Sequence, residues 1–496
     1  MDSSSQTSEK EKDDTTTTTN NDNNNNDNNG DDDNSLSNRK KKKMKYFEKK
    51  RNKSKSDPDK ILSKRKKNNR NWNKEEGNDP RNMTPHDGSF ANAEMRSLYN
   101  VTLPSFHDDD DDDGSRKHPK RKVALLLGFV GTRYGGMQMN KGQRSLHAEI
   151  ELALYKAQFI SKDNFGFPEK VSWSNSARTD KGVHSCAQIC SVKLLLPTDD
   201  LNVIRERINQ SLPDDIAVLD IVRTPRAFCA RTQRSKVRYQ YMLPSYVLQH
   251  RSTLQKLFQD NNLIEQEDNN KRENQNPLTI QEIQTLHQQL RHYRASEENI
   301  QQLKQALQRY VGTNKYHNYT SRKKSDDPSV NRFILAFNVE QPVIDTSTNI
   351  EWIPCQVIGQ SFLLHQIRKM MSMAMDVARN ATTMDIMDQS FGINSLLNIH
   401  TAPAQGLFLD MSYYDQFNKR PQAGDPLDWH SDPTAPAPQR WKQFKEQKIM
   451  KHIMTEEESQ GNFIKYMYLQ ELHISKGNYN LRSPPTPKTD EGMTTE

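Results

Sequence analysis

Residues 175–184 read NSARTDKGVH, a stretch that places one carboxylate between two cations and follows them with a glycine. The carboxylate is Asp180, and the cations are Arg178 and Lys181. A nearby positive charge favours the ionised form of an acid, so we expect Asp180 to be a carboxylate at neutral pH. A carboxylate held in a tight turn beside cations suits nucleophilic chemistry on a nucleic acid. These residues alone leave a second interpretation open, an Asp-x-Gly turn that only connects two strands.

The composition predicts less folded mass than the 496 residues allow. Only 32% of the residues are hydrophobic, and Asn, Asp, Lys and Gln are gathered in blocks. Such blocks bury too little apolar surface to offset the entropy cost of ordering, so we expect them to be disordered. The folded part should therefore be concentrated in about 300 residues, from near residue 123 onward.

The local charges are stronger than the net charge of +7 indicates. The N-terminal tail is first acidic and then densely basic, with the runs RKKKK at 39–43 and KRKK at 64–67. Basic runs of this kind bind nucleic acid or nuclear import receptors, so we predict that the protein is nuclear. No apolar window approaches the length of about 18 residues that a membrane-spanning helix needs, so we expect no membrane partner.

The cysteine pattern does not predict a disulfide framework or a metal site. Four cysteines in a chain of this length fit a reducing compartment. His184, Cys186 and Cys190 resemble part of a metal site, but the set lacks a second pair of ligands. Since the surrounding residues alternate as in a strand, we interpret the two thiols as buried strand residues.

The hydrophobic pattern indicates an α+β protein. Strands are predicted at 123–130, 187–196, 217–222, 237–243, 333–339 and 353–358. Helices are predicted at 145–157 with Ser145 as N-cap, and at 201–212, 299–310, 362–378 and 441–454. Strands and helices follow one another in a similar order before and after a polar Asn-rich segment, which favours two halves of similar design.

Five separated segments, in order, resemble those of the TruA-type pseudouridine synthase family, and within it the eukaryotic subgroup that modifies several tRNA sites. The resemblance runs over residues 123–414, about 290 residues in all. Around the matching segments, residues 174–176 and the Asn-rich segment depart from the family pattern. The matching segments are GTRYGGMQMN at 131–140, ARTDKGV at 177–183, KVRYQY at 236–241, GQSFLLHQIRKM at 359–370 and APAQGLFL at 402–409.

This resemblance implies two RRM-like (ferredoxin-like) halves that form one extended mixed or antiparallel sheet flanked by helices, with a catalytic cleft between them. The implied segments are a disordered acidic and then basic tail at 1–120, a first catalytic half at 121–248, a polar and partly disordered insertion at 249–290, a second half at 291–418, and a partly helical extension with a disordered end at 419–496.

The resemblance also implies an activity, the isomerisation of uridine to pseudouridine in tRNA, with other structured RNAs such as snRNA or mRNA as further substrates. The target nucleotide must leave the base stack to be reached. By analogy, Asp180 is the nucleophile, Arg368 is the cation paired with it, and Tyr239 stacks on the uracil. Isomerisation is redox-neutral and needs no group donor, so no cofactor or metal is expected.

Four further residues are expected to bind the substrate. Arg178 would enter the space left by the flipped base, and Leu407 would pack near that base. The other two predicted contacts are Lys181 and Gln138. Two alternatives stay open: a paralogous tRNA synthase acting next to the anticodon loop, and a non-catalytic RNA-binding or chaperone protein of the same fold.

Overall fold

We describe the protein from a computed structural model, in which residues 118–139, 143–264, 277–321, 323–420 and 425–474 are described. The predicted tail up to residue 117, with both candidate import signals, lies outside these residues, as do the Asn-rich centre of the insertion at 265–276 and the chain after residue 474.

One ten-stranded sheet organises the described residues. Eight strands follow one another across it in the order β4-β1-β3-β10-β5-β9-β7-β6, while β2 pairs with β3 and β8 with β9. The strands are β1 (Lys120–Phe129), β2 (Ser174–Asn175), β3 (His184–Leu195), β4 (Ile216–Arg223), β5 (Lys236–Pro244), β6 (Gly312–Lys315), β7 (Asn331–Val339), β8 (Val343–Ile344), β9 (Glu351–Gly359) and β10 (Leu407–Tyr413).

Helices flank this sheet, which confirms the predicted α+β class and the single extended mixed sheet. They are α1 (Leu146–Lys156), α2 (Leu201–Asn209), α3 (Arg251–Asp260), α4 (Ile280–Leu290), α5 (Glu297–Gln308), α6 (Gln366–Ala378), α7 (Met384–Gln389), α8 (Asp415–Asn418), α9 (Pro436–Gln443), α10 (Lys451–Gln460) and α11 (Asn462–Ile474). A π-helical segment, Phe444–Met450, joins α9 to α10.

The two halves of the chain exchange strands at the centre of the sheet. β10 comes late in the sequence, yet it pairs in parallel with β3 and antiparallel with β5. β5 follows the first-half strands in sequence, yet it pairs with β9 of the second half. The sequence indicates a division at residue 248. In the sheet, β10 from after this division pairs with β3 and β5 from before it, and β5 also pairs with β9.

Alternating side chains of β1 enter two different apolar clusters. Val123 and Leu125 pack on one face of the sheet with α1 and α2. Ala124 and Leu126 belong to a larger cluster on the other face, which also contains residues of the second half and of the C-terminal helices. Because successive strand residues point to opposite faces, this pattern buries both faces of the sheet.

Local sequence explains where two of the helices begin. The predicted N-cap Ser145 accepts a hydrogen bond from the backbone N–H of Ala148, as a cap at the start of α1 should. α6 begins at Gln366, four residues later than the sequence indicates, because His365 has a left-handed backbone with φ 61°. The Gln366 side chain then accepts the N–H of Leu363 at 2.8 Å.

The C-terminal extension packs into the same core. Asp410 on β10 is fully buried, and it pairs with Arg238 of β5 and with Lys445 of the π-helical segment. Burial alone would raise the pKa of Asp410, but Lys445 and Arg238 outweigh it and lower that pKa. Further along, buried Arg379 pairs with Glu471 of α11 at 2.6 Å. The extension is therefore joined to the second half by two buried ion pairs, one at Asp410 and one at Arg379.

The insertion predicted at 249–290 contains two helices, α3 and α4, on either side of its Asn-rich centre. α4 begins with a capping box formed by Thr279 and Glu282, a sequence signal for a helix start. None of the helices described is both long and apolar enough to cross a membrane.

Candidate active site

An open pocket of about 350 Å³ lies between the two halves of the sheet. Its walls come from four places in the chain: the opening loop (131–136), the loop that carries Asp180 (178–182, the Asp180 loop), the start of α6, and the closing segment (402–405). The lining residues are Thr132, Asp180, Lys181, Gly182, His365, Arg368, Ala404 and Gln405. The cleft between the halves that the sequence predicts is therefore present.

The Asp180 loop is fixed by its neighbours on both sides. The carbonyl of Thr179 accepts the backbone N–H of Met137, and the carbonyl of Ala177 accepts the side-chain amide of Gln188 at 3.1 Å. The opening loop approaches so closely that a Cβ at Gly131 would lie 2.1 Å from the carbonyl oxygen of Val183. Only glycine fits there, which explains the first residue of the GTRYGG segment.

The carboxylate of Asp180 is half-buried and faces a histidine. Its Oδ2 lies 4.0 Å from Nε2 of His365, and about a third of each side chain is exposed. Burial raises the pKa of Asp180 above its ordinary value, while His365 and Arg368 act in the opposite direction. Burial lowers the pKa of His365, and Asp180 works against that effect. The pair therefore combines a carboxylate of weakened acidity with an imidazole of weakened basicity.

Arg368 lines the same pocket but forms no ion pair within 4.0 Å of Asp180. Its Nε donates instead to the carbonyl of Ala402 at 2.6 Å. Burial lowers the pKa of Arg368, against attraction from Tyr241 and Asp180. Arg368, the predicted partner of Asp180, thus acts on the carboxylate through space and not through an ion pair.

Three buried or half-buried side chains hold the closing segment by its carbonyls. Arg368 donates to Ala402, the Tyr241 hydroxyl donates to the carbonyl of Pro403 at 2.9 Å, and Nε2 of His184 lies 3.0 Å from the carbonyl of Gln405.

The tautomer of His184 follows from its two contacts. Nδ1 accepts the backbone N–H of Gly131 at 2.9 Å, so Nε2 must carry the proton that reaches Gln405. Burial lowers the pKa of His184 to about 4, so the ring is neutral at physiological pH. This one side chain therefore connects the opening loop to the closing segment.

Tyr239 lies behind the pocket lining rather than in it. Its side chain is 9% exposed, and its ring stands edge-on to Phe362 at 5.5 Å. Burial raises the pKa of Tyr239 to about 12, with Arg234 opposing and Asp180 adding to that rise. The phenol is therefore protonated and within electrostatic reach of Asp180, and its catalytic role stays a prediction.

The four predicted substrate-binding residues differ in position. Lys181 lines the pocket. Arg178 and Gln138 are exposed and outside the lining. Leu407 is 6% exposed and sits on β10 opposite Tyr241, inside the core. Their roles in binding stay predictions.

His365 is a titratable pocket residue that the sequence analysis did not select. Its signal was available, since it lies inside the quoted GQSFLLHQIRKM segment and three residues before Arg368. The sequence pattern predicts a helix through this segment, and in such a helix the direction of the His365 side chain would be set by the helix. The left-handed backbone instead ends the preceding loop at His365 and brings its ring to Asp180.

The thiols are consistent with the interpretation made from the sequence. Cys186 and Cys190 are free, buried and on β3. His184 already uses both ring nitrogens in protein contacts. Among the described residues, no three His, Cys, Asp or Glu side chains group as potential metal ligands.

Comparison with known proteins finds one matching family and several similar relatives. The profile of the tRNA pseudouridine synthase family matches residues 306–415, which include His365, Arg368 and β10. A tRNA pseudouridine synthase 1 from Kluyveromyces lactis is 33% identical over 357 residues, 63% of this chain and 64% of that protein. The mouse pseudouridylate synthase 1 homolog is 29% identical, over 73% of this chain and 76% of its own length.

A tRNA pseudouridine synthase 1 from Candida albicans is 30% identical over 431 residues, 74% of this chain and 68% of that protein. The chain spans less than two thirds of several other fungal relatives, 64% in Kluyveromyces lactis and 63% in Saccharomyces cerevisiae. The pocket lies where the family resemblance implies it, and the similarity extends over most of a curated relative. The chain therefore belongs to the tRNA pseudouridine synthase family.

Proposed function

We propose that this protein converts specific uridines of tRNA to pseudouridine, with Asp180 as the nucleophile. The observation that carries the proposal is the position of Asp180, half-buried in a pocket that both halves of the sheet build. Arg368 lines the same pocket from the other half. A structural Asp-x-Gly turn would need neither the pocket nor the facing cation.

The reaction is balanced within the substrate. The bond between uracil N1 and ribose C1′ breaks, a bond between C5 and C1′ forms, C5 loses its proton and N1 gains one. Asp180 would attack either the ribose or the base and leave again, so it splits one difficult exchange into two steps. No oxidant, reductant or group donor enters this balance.

The substrate nucleotide must be turned out of its stack before Asp180 can reach it, at a cost of a few kcal/mol. Lys181, which lines the pocket, would contact the RNA backbone, and the exposed Arg178 would enter the space left by the base. We assign Gln138 and Leu407 to the same substrate contact. Tyr239 would stack on the uracil or take part in moving the C5 proton, and stacking of this kind contributes about 1–3 kcal/mol.

Opposing electrostatic effects act on Asp180, which is half-buried in the pocket. Burial raises the pKa of Asp180, and Arg368 and His365 moderate that rise. A desolvated carboxylate is a better nucleophile than one fully hydrated by water, provided that it keeps its charge. His365 and Arg368 are the two pocket side chains that support this charge.

The test uses tRNA labelled with tritium at C5 of uridine, because conversion releases that tritium to water. Asp180→Asn should reduce the release rate by about 10⁴-fold or more, as expected for loss of a covalent nucleophile, while tRNA affinity is retained. Asp163→Asn is the matched control, since Asp163 is exposed and lies outside the pocket lining.

Substantial release by purified Asp180→Asn protein would remove Asp180 from this role. Wild-type protein that binds tRNA without releasing tritium would favour the RNA chaperone instead. Mapping pseudouridines in RNA from cells without the protein would separate a multi-site enzyme from a paralogue acting beside the anticodon loop, and would show whether other structured RNAs are substrates.

We also propose that the protein acts in the nucleus and binds import receptors through its basic tail. The support is in the sequence alone, the basic runs at 39–43 and 64–67. A fluorescent fusion lacking residues 1–74 should leave the nucleus, and a truncated protein that stays nuclear would contradict this assignment.

A further inference from the structure

We propose that the C-terminal extension completes the pocket, because α10 holds the pocket residue Thr132 in place through His452 and Glu456. The extension lies beyond the segment that matches the family profile and contributes no residue to the pocket lining. Its effect is therefore indirect, and Thr132 and the two residues of α10 are positioning residues. The consequence for catalysis rests on the function proposed above.

The contact consists of three side chains in mutual hydrogen-bond distance. Oγ1 of Thr132 lies 2.8 Å from Nε2 of His452 and donates to Oε2 of Glu456 at 3.1 Å. Nε2 of His452 and Oε2 of Glu456 are 3.0 Å apart, one turn along the same helix. The partners of Thr132 are 320 and 324 residues away in the sequence.

The positions of the hydrogens follow from this geometry. A threonine hydroxyl has one hydrogen, and here it goes to the carboxylate of Glu456. Nε2 of His452 faces two oxygens, so it must carry a proton, whether the ring is neutral or charged. Thr132 thus gives one hydrogen bond and receives one, which leaves its hydroxyl committed to α10 rather than to a substrate.

The carboxylate in this contact is sheltered from water. The side chain of Glu456 is 13% exposed and that of His452 is 35% exposed. Burial alone would raise the pKa of Glu456, but the contacts with His452 and Thr132 outweigh it and lower that pKa. An ionised, sheltered acceptor makes a stronger hydrogen bond than a neutral one, so the contact is suited to fixing a loop.

The same helix also supports the clamp formed by His184. The ring of His452 stands edge-on to that of His184, with 5.5 Å between ring centres. His184 in turn binds Gly131, the residue next to Thr132, and Gln405 of the closing segment. α10 therefore touches the opening loop directly and the closing segment through one intermediate ring.

The other anchors of the opening loop hold the residues on either side of Thr132, whereas α10 holds the Thr132 side chain itself. Arg133 pairs with Asp214 and Asp215, and the Tyr134 hydroxyl donates to Asp215 at 2.7 Å. These contacts hold the far end of the loop against the first half of the sheet. Loss of the α10 contact should let the pocket end of the loop shift while the fold persists.

The experiment compares Thr132→Val with Thr132→Ser in the full-length protein. Valine keeps the shape and removes the hydroxyl, whereas serine keeps the hydroxyl. A misplaced pocket wall lowers the chemical step, and a displacement near 1 Å costs about 10²-fold. We expect Thr132→Val and His452→Ala to reduce the single-turnover rate by about 10- to 100-fold with tRNA Kd changed by no more than about two-fold. Thr132→Ser should restore most of the rate.

Thr455→Val is the matched control, since Thr455 is an exposed threonine on the same helix, next to Glu456. It should leave the rate and the affinity unchanged. Wild-type single-turnover rates in both Thr132→Val and His452→Ala would overturn the proposal, as would an equal loss in Thr132→Ser and Thr132→Val.

Hydrogen exchange of residues 130–136 provides a readout that does not depend on activity. Faster exchange in Thr132→Val than in wild type and Thr455→Val would support the contact even if the wild-type protein proved unable to form pseudouridine. Unchanged exchange in that variant would refute the contact. Failure of the proposed activity and failure of the positioning role would therefore be seen separately.

Discussion

Two turns deliver side chains to the pocket, one from each half of the sheet, and they reach the left-handed backbone region with different residues. In the Asp180 loop that residue is Gly182, with φ 79°. At the start of α6 it is His365, with φ 61°. Glycine adopts this conformation freely, whereas a residue with a Cβ is strained by about 1 kcal/mol or more. The turn at Gly182 therefore adopts its conformation without strain. The turn at His365 is strained, but it carries an imidazole that glycine would not supply.

The largest effect on the reaction rate is expected at Arg368, which lies in α6 directly after the strained turn at His365. Lysine keeps the charge but cannot both hold the carbonyl of Ala402 and present a planar fork to the pocket. We expect Arg368→Lys to reduce the single-turnover rate by about 10²-fold, similar to the loss of one electrostatic contact in other active sites. Affinity for tRNA, measured by filter binding, should change little.

Arg332→Lys serves as the control for this substitution, because Arg332 lies on β7 and outside the pocket lining. A variant at position 368 with wild-type chemistry and weakened binding would show that Arg368 contacts phosphate instead.

A second effect concerns the pH dependence of the reaction. His365 lowers the pKa of Asp180 against the effect of burial. If the imidazole is removed, that pKa rises, and the ionised fraction of Asp180 is lost at a higher pH as the solution is acidified. The acid limb of the single-turnover rate in His365→Gln should therefore move to higher pH than in wild type.

His430→Gln is a suitable control for this profile, since His430 is paired with Asp428 on the C-terminal extension and lies outside the pocket lining. An acid limb that stays in place or moves to lower pH in His365→Gln would contradict the electrostatic role of His365.

The smallest effects test the backbone difference itself. Gly182→Ala should destabilise the fold by about 1 kcal/mol through strain alone. The space is available, because the added Cβ would meet only the Cβ of Ala404, at 3.7 Å. His365→Gly should be more stable than His365→Ala by about 1 kcal/mol, since glycine relieves the strain. Urea unfolding measures both, and equal stability of the two His365 variants would show that this turn is unstrained.

The sequence predicted those parts of the site that depend on local pattern. Asp180 stands out as a carboxylate between two cations in a turn, whereas Arg368 was assigned only through the family resemblance of its segment. His365 was missed because its contact with Asp180 depends on a left-handed backbone, which the surrounding structure imposes. His452 and Glu456 were missed because a His and a Glu one turn apart are typical of an ordinary solvated helix face.

The fold shows the same division between local and distant information. Six of the ten strands, and the helix capped by Ser145, follow from alternation and capping signals near each residue. The position of β10 does not, because no local pattern identifies a partner strand more than 200 residues earlier in the chain, such as the contact of Ser185 with Leu409 over 224 residues. His452 and Glu456, which hold Thr132, are also distant from it in the sequence, by 320 and 324 residues.

The late position of β10 has a consequence during synthesis on the ribosome. β5 forms early, but its edge over residues 236–241 is covered by β10, which emerges last of the ten strands. Until then a nascent chain carries an open strand edge, and such an edge readily pairs with other chains. Translation that stops before residue 407 would therefore release two separate groups of strands, β4-β1-β3 and β5-β9-β7-β6, that β10 normally joins. Their uncovered edges make such a species prone to capture by chaperones or to aggregation.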